Sequence, residues 1–142
     1  MFLLDTNVVS ELRKVFAGRA DEGVAAWSRE VDTSSLFISV ITVQELETGV
    51  LRILRRDPAQ GGILRQWLDT QVRPTFESRI LPVDTAVARC CASLHVPDPR
   101  PYRDSLIAAT ALVHKLAVVS RNVRDFAIDG LRAIDPWTGG TG

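Results

Sequence analysis

Met1-Phe2-Leu3-Leu4-Asp5-Thr6-Asn7 opens the chain with four apolar residues that run straight into an acid and two small polar side chains. A helix-like pattern follows. The stretch reads as a short buried strand whose carboxyl end delivers Asp5 into a strand-to-helix turn. In an open parallel sheet, ligands bind at that edge.

Further strands follow from the same kind of run. Leu36-Phe37-Ile38-Ser39-Val40 is the second, Arg79-Ile80-Leu81-Pro82-Val83 the third and Ala117-Val118-Val119 the fourth, ending at Ser120-Arg121-Asn122. Arg132-Ala133-Ile134 is the fifth. Helical patterns separate them. Asn7 is expected to cap a helix over residues 8–14, which Gly18 breaks. A second helix spans about residues 20–30. Thr42 and Glu45 have the spacing of a capping box for a long helix to about Arg56. Asp57-Pro58 and Gly61-Gly62 predict a turn, and residues 63–72 the return helix of a hairpin. Asp84 or Thr85 caps a helix to about Leu94. The three prolines of 95–101 require a loop, and residues 102–115 give the clearest helical pattern in the chain. Alternating strands and helices predict an α/β sandwich around a parallel sheet. One domain over residues 1–137 is expected, with 138–142 as a disordered tail.

The bulk numbers fit. A chain of 142 residues with 46% apolar and 24% charged content is one ordinary globular domain. No apolar run approaches the roughly 20 residues that span a bilayer, and an acid follows the opening residues as it would not in a signal peptide. No membrane association and a cytoplasmic location are therefore expected. Cys90 and Cys91 are adjacent in a helix, point apart and are read as reduced and structural. Formal net charge is zero, so no long-range attraction to nucleic acid is advertised. Lys14 and Lys115 are the only lysines; the remaining basic residues are arginines, suited to bidentate phosphate or carboxylate contacts.

Four acids stand out by position. Asp5 ends the first strand, Glu45 and Asp104 sit near the starts of two helices, and Asp125 lies just past the fourth strand. If the first and fourth strands are neighbours, all four reach one rim. Clustered carboxylates repel, so such a pocket calls for a cation, and oxygen-only ligation selects hard ions such as Mg²⁺ or Mn²⁺. An ion held this way activates water and orients a phosphodiester. Thr6, Asn7, Ser120 and Asn122 are the neutral donors and acceptors beside the acids, with capping as their ordinary role. Arg103 and Arg121 flank the acids and are placed to pair with them or touch substrate phosphate. Singly, Glu45 and Asp104 are also explained by helix dipoles, and Asp125 by a turn. Asp5 is harder to dismiss, because an acid after a buried strand needs a partner.

These residues resemble a known family. Leu3-Leu4-Asp5-Thr6-Asn7, Ser39 to Leu46, Arg103 to Ala111 and Val119 to Phe126 are similar to the motif blocks of PIN-domain ribonucleases, in order and at familiar spacings. The likeness is greatest to VapC toxins of toxin–antitoxin pairs, in their FitB-like branch, which Ile134-Asp135-Pro136-Trp137 also resembles. The resemblance covers essentially the whole chain. It implies a five-stranded parallel sheet ordered 3-2-1-4-5, an acidic metal site of Asp5, Glu45, Asp104 and Asp125, and Mg²⁺- or Mn²⁺-dependent endonucleolytic cleavage of RNA. It further implies a homodimer inhibited by a small antitoxin, through which alone operator DNA is contacted. Leu46, Val50, Leu51 and Leu54 offer either an apolar groove for such a partner or ordinary core.

Two other readings stay open on the residues themselves. A phosphatase would use Asp5 as nucleophile, but that chemistry usually has a second acid two residues on, where Asn7 stands. A non-enzymatic partner half of a repressor complex would bind its antitoxin tightly with little turnover.

Overall fold

A computed structural model of the protein describes residues 1–15 and 17–138. Strand β1 (Phe2–Leu4) lies at the centre of a five-stranded sheet of order β3-β2-β1-β4-β5, with β2 (Leu36–Ser39), β3 (Ile80–Leu81), β4 (Ala117–Val119) and β5 (Ala133–Ile134) all parallel to their neighbours. Phe2 pairs in register with Leu36 on one side and Ala117 on the other, and Leu4 with Val119. Successive strand residues face opposite sides. Leu4 therefore joins Ile38 and Val119 in a core under helices α1 (Thr6–Arg13), α3 (Val40–Arg56) and the segment after α4 (Pro58–Trp67), whereas Leu3 joins Val118 under α7 (Tyr102–His114). Both leucines are fully buried, and either truncated to alanine would cost about 2–5 kcal/mol. Helix α2 (Glu22–Glu30) lies against α1, and α6 (Thr85–Leu94) against the outer side of α7.

Several local expectations shift, each for a physical reason. Helix α1 begins at Thr6 because Asp5, not Asn7, is its cap: Asp5 Oδ1 accepts from the Thr6 backbone N–H at 2.8 Å. Helix α3 begins at Val40 because Ser39 Oγ accepts from the Ile41 N–H at 3.0 Å. Thr42 is thus inside the helix and fully buried, and Glu45 belongs to the second turn, not to a capping box. Asp57 caps α4, which runs straight through Gly61-Gly62. A Cβ at Gly61 would lie 2.6 Å from the Leu54 Cα, so this glycine permits close helix crossing. A π-helical turn, Leu68–Val72, and a short α5 (Arg73–Thr75) continue the segment.

Leu46 and Val50 are buried core, with Leu54 packed against them; only Leu51, 54% exposed, faces outward. That stripe is core, not an open groove. Cys90 and Cys91 are both free thiols, Cys91 buried. Thr138 closes a final 3₁₀ turn, its hydroxyl donating to Asp135 O at 2.9 Å; the rest of the expected tail, 139–142, lies outside the described residues. No helix among the described residues is long and apolar enough to cross a membrane.

Candidate active site

The β1–α1 junction fixes Asp5 from three directions. Its backbone N–H donates to Val119 O at 2.9 Å across the sheet. Oδ1 caps α1, and Oδ2 accepts from Ser120 Oγ at 2.7 Å, with Asn7 Nδ2 at 3.4 Å. The residue is 7% exposed. Burial pushes its pKa up; the Ser120 and Thr6 bonds oppose that, and the charges of Glu45 and Asp125 add to it.

Glu45 comes from α3, which follows the neighbouring strand. Its Oε1 accepts from Thr6 Oγ1 at 2.8 Å, and its Oε2 is 3.7 Å from Arg103 Nη1. Thr42, one turn back on the same helix face, presents its buried hydroxyl to Thr6 Oγ1 at 3.2 Å. Asp104 stands in the first turn of α7. Burial raises its pKa, followed by the charges of Asp5, Asp125 and Glu45. Asp125 is exposed on a 3₁₀ turn (Val123–Phe126) that buried Phe126 pins to the sheet.

The charges of Glu45 and Asp125 therefore reach Asp5, and those of all three reach Asp104, at the carboxyl edge of β1, β2 and β4. Among the described residues, Arg103 on Glu45 is the only ion pair that touches the set. The donor chemistry suits a hard cation: four carboxylates and neighbouring hydroxyls, with a surplus of negative charge. The neighbouring acids help to raise the pKa of Asp5 and of Asp104, yet no three His, Cys, Asp or Glu among the described residues form a ready-made chelating group.

The flanking residues divide. Thr6 and Ser120 each orient an acid, and Ser120 Oγ also accepts from the Asn122 N–H at 2.9 Å. Asn7 Oδ1 accepts from the Arg121 N–H at 3.3 Å, tying the β4 turn to the β1 turn. Arg103 pairs with Glu45. No acid among the described residues pairs with Arg121; its guanidinium lies over the Trp137 ring, 5.4 Å from the centroid. Thr42 was missed as a site residue because its spacing to Glu45 matched a capping box, and the same spacing marks one helix face. A cleft of about 720 Å³ lies away from the acids, walled by Arg13, Ile63, Trp67 and Thr70 on the helical face.

The PIN domain family model matches residues 2–129. VapC ribonuclease Y4jK of Sinorhizobium fredii is 35% identical, over 96% of this chain and 98% of its own length. Toxin FitB of Neisseria gonorrhoeae is 34% identical, over 96% and 99%. The crystal structure of FitAcB from Neisseria gonorrhoeae superposes with a TM-score of 0.86 at 33% identity, over 96% of this chain and 99% of that one. A parallel sheet of order 3-2-1-4-5, with its acids gathered at the carboxyl edge, and these likenesses over nearly the full length place the chain in the PIN-domain family.

Proposed function

We propose that this protein is the toxin of a toxin–antitoxin pair, a divalent-metal-dependent endoribonuclease that hydrolyses RNA phosphodiester bonds. The observation that carries the reading is that Glu45 and Asp125 act on Asp5, and all three on Asp104, at one sheet edge, with Arg103 as the one ion-paired counter-charge among the described residues. Those four carboxylates would hold Mg²⁺ or Mn²⁺. When bound, such an ion supplies the charge that activates water and steadies a leaving oxygen. The chain's own residues set the stage for it. Ser120 and the Thr6 amide fix the direction of both Asp5 oxygens, and the Thr6 hydroxyl does the same for Glu45 Oε1. Arg103, 68% exposed on its side chain, is free to leave Glu45 for a substrate phosphate. Asn7 holds the β4 and β1 turns together beside the acids, and the Asn122 N–H braces the Ser120 hydroxyl within the β4 turn.

The family resemblance implies a cytoplasmic homodimer silenced by a cognate VapB-like antitoxin, and the likeness over nearly the full length to Toxin FitB and to FitAcB supports the toxin part of that reading. Zero net charge fits a chain that meets operator DNA only through that antitoxin.

The test is cleavage of a mixed-sequence RNA by purified protein with Mg²⁺ or Mn²⁺, compared with Asp5→Asn. Asparagine keeps an acceptor for the α1 cap, which alanine would lose at a cost of about 1 kcal/mol. Cleavage by the wild type and its loss in the variant are expected. Full cleavage by Asp5→Asn would refute the assignment.

A further inference from the structure

Helix α7 carries Asp104 in its first turn but has no side-chain cap: Pro101 precedes it and offers no side-chain acceptor to its free amides. The turn is held from outside, by the end of α6. His95 is the C-cap residue of α6. Its Nδ1 accepts from the Arg100 backbone N–H at 3.3 Å, and its ring packs on Tyr102 with centroids 4.8 Å apart. With Nδ1 as acceptor, the neutral imidazole carries its proton on Nε2, 2.9 Å from Ser105 Oγ. Ser105 is 2% exposed and immediately follows Asp104. Its hydroxyl donates to Pro101 O at 2.8 Å, with Tyr102 O at 3.0 Å, and the buried Cys91 Sγ lies 3.6 Å away. One buried hydroxyl thus gathers the α6 cap, the proline loop and the first turn of α7.

We infer that His95 is a positioning residue for the nuclease reaction: through Ser105 and Tyr102 it fixes the turn that aims Asp104 at the other three acids. The sequence around it had suggested only a loop residue. The inference rests on the nuclease reading of the acid cluster. A side chain that orients a ligand-bearing turn governs both metal affinity and rate, because supporting contacts typically carry 10–100-fold effects, and misplacing a reacting group by about 1 Å is of similar consequence.

The experiment compares wild type, His95→Ala, His95→Gln, Ser105→Ala, the double alanine variant and Asp5→Asn. Each is read by steady-state cleavage of a fluorogenic mixed-sequence RNA with Mn²⁺, by calorimetric Mn²⁺ titration without RNA, and by thermal unfolding. His95→Ala should lower kcat about 10–100-fold, with KM within about twofold, and weaken Mn²⁺ binding about tenfold. Ser105→Ala should match it, and the double variant should lose no more than either single one. His95→Gln, whose amide N–H reaches the same hydroxyl, should recover most of the loss. Wild-type kcat and Mn²⁺ affinity in folded His95→Ala would overturn the inference, as would equal losses in the Gln and Ala variants. Should His95→Ala not fold, unchanged kcat in Ser105→Ala would overturn it instead. A wild type that does not cleave, or Asp5→Asn that cleaves equally, strikes the nuclease reading itself and removes the ground for the inference.

Discussion

Helices α3 and α7 deliver one acid each to the same edge, and they do it by opposite means. Ser39 caps α3 directly, and Glu45 then sits a turn further in, tied to Thr6 and paired with Arg103. Helix α7 starts after a proline with no side-chain cap of its own, and among the described residues Asp104 makes no ion pair while the charges of Asp5, Asp125 and Glu45 push its pKa up. One acid is anchored before any ligand arrives. The other is held in place from behind, by a turn braced against α6, while its charge remains uncompensated. A site that must take up a cation needs both features: a fixed frame, and charge left for the ion to neutralise.

The contrast is sharpened first by neutralising each acid in turn. Asp104→Asn should lower cleavage of RNA about 1000-fold, several kcal/mol of lost charge stabilisation. Glu45→Gln keeps an oxygen for the Thr6 hydroxyl and should lose less, about 100-fold. Steady-state rates with Mn²⁺ measure both. The reverse order would mean that the anchored acid, not the uncompensated one, carries the chemistry.

Next comes the anchor itself. Thr6→Val removes the hydroxyl between Glu45 and Thr42, and kcat should fall about tenfold, as when one hydrogen bond of about 1–1.5 kcal/mol is lost. A change confined to thermal stability would make Thr6 a packing residue.

The smallest effect is on stability without metal. Asp104 has its pKa raised in the folded state by burial and by the charges of Asp5, Asp125 and Glu45. The folded protein therefore binds this proton more tightly than the unfolded chain does. The resulting stability is full below the unfolded pKa and is lost as pH rises through the folded one. At pH 7 the ionised side chain opposes folding, so Asp104→Asn should be more stable than wild type, by a margin that solvent screening of this partly exposed group keeps small. The gain should vanish below about pH 4. Denaturant melts at the two pH values check the sign.

How much of this was visible in the residues depends on the range of the interaction. The β1 run and the acid behind it were legible because strand burial and a chain-adjacent carboxylate are local signals. The grouping of the four acids followed once strand order was assumed, since parallel strands share one carboxyl edge. Two caps lie two and three residues before the expected ones because Asp5, Asn7, Ser39 and Thr42 are all competent acceptors, and only the helix register chooses among them. The Gly61-Gly62 pair looked like a turn, because nothing local says that Leu54 will cross there. The fate of Arg121 depended on Trp137, sixteen positions on, and the His95 brace on two helices meeting; neither leaves a periodic trace.

The most direct test of the central claim is a calorimetric Mn²⁺ titration of the wild-type protein at neutral pH against Asp104→Asn. Saturable binding by the wild type and at least a tenfold weaker affinity in the variant are expected. No binding by the wild type at millimolar Mn²⁺, or equal binding by both, would contradict it.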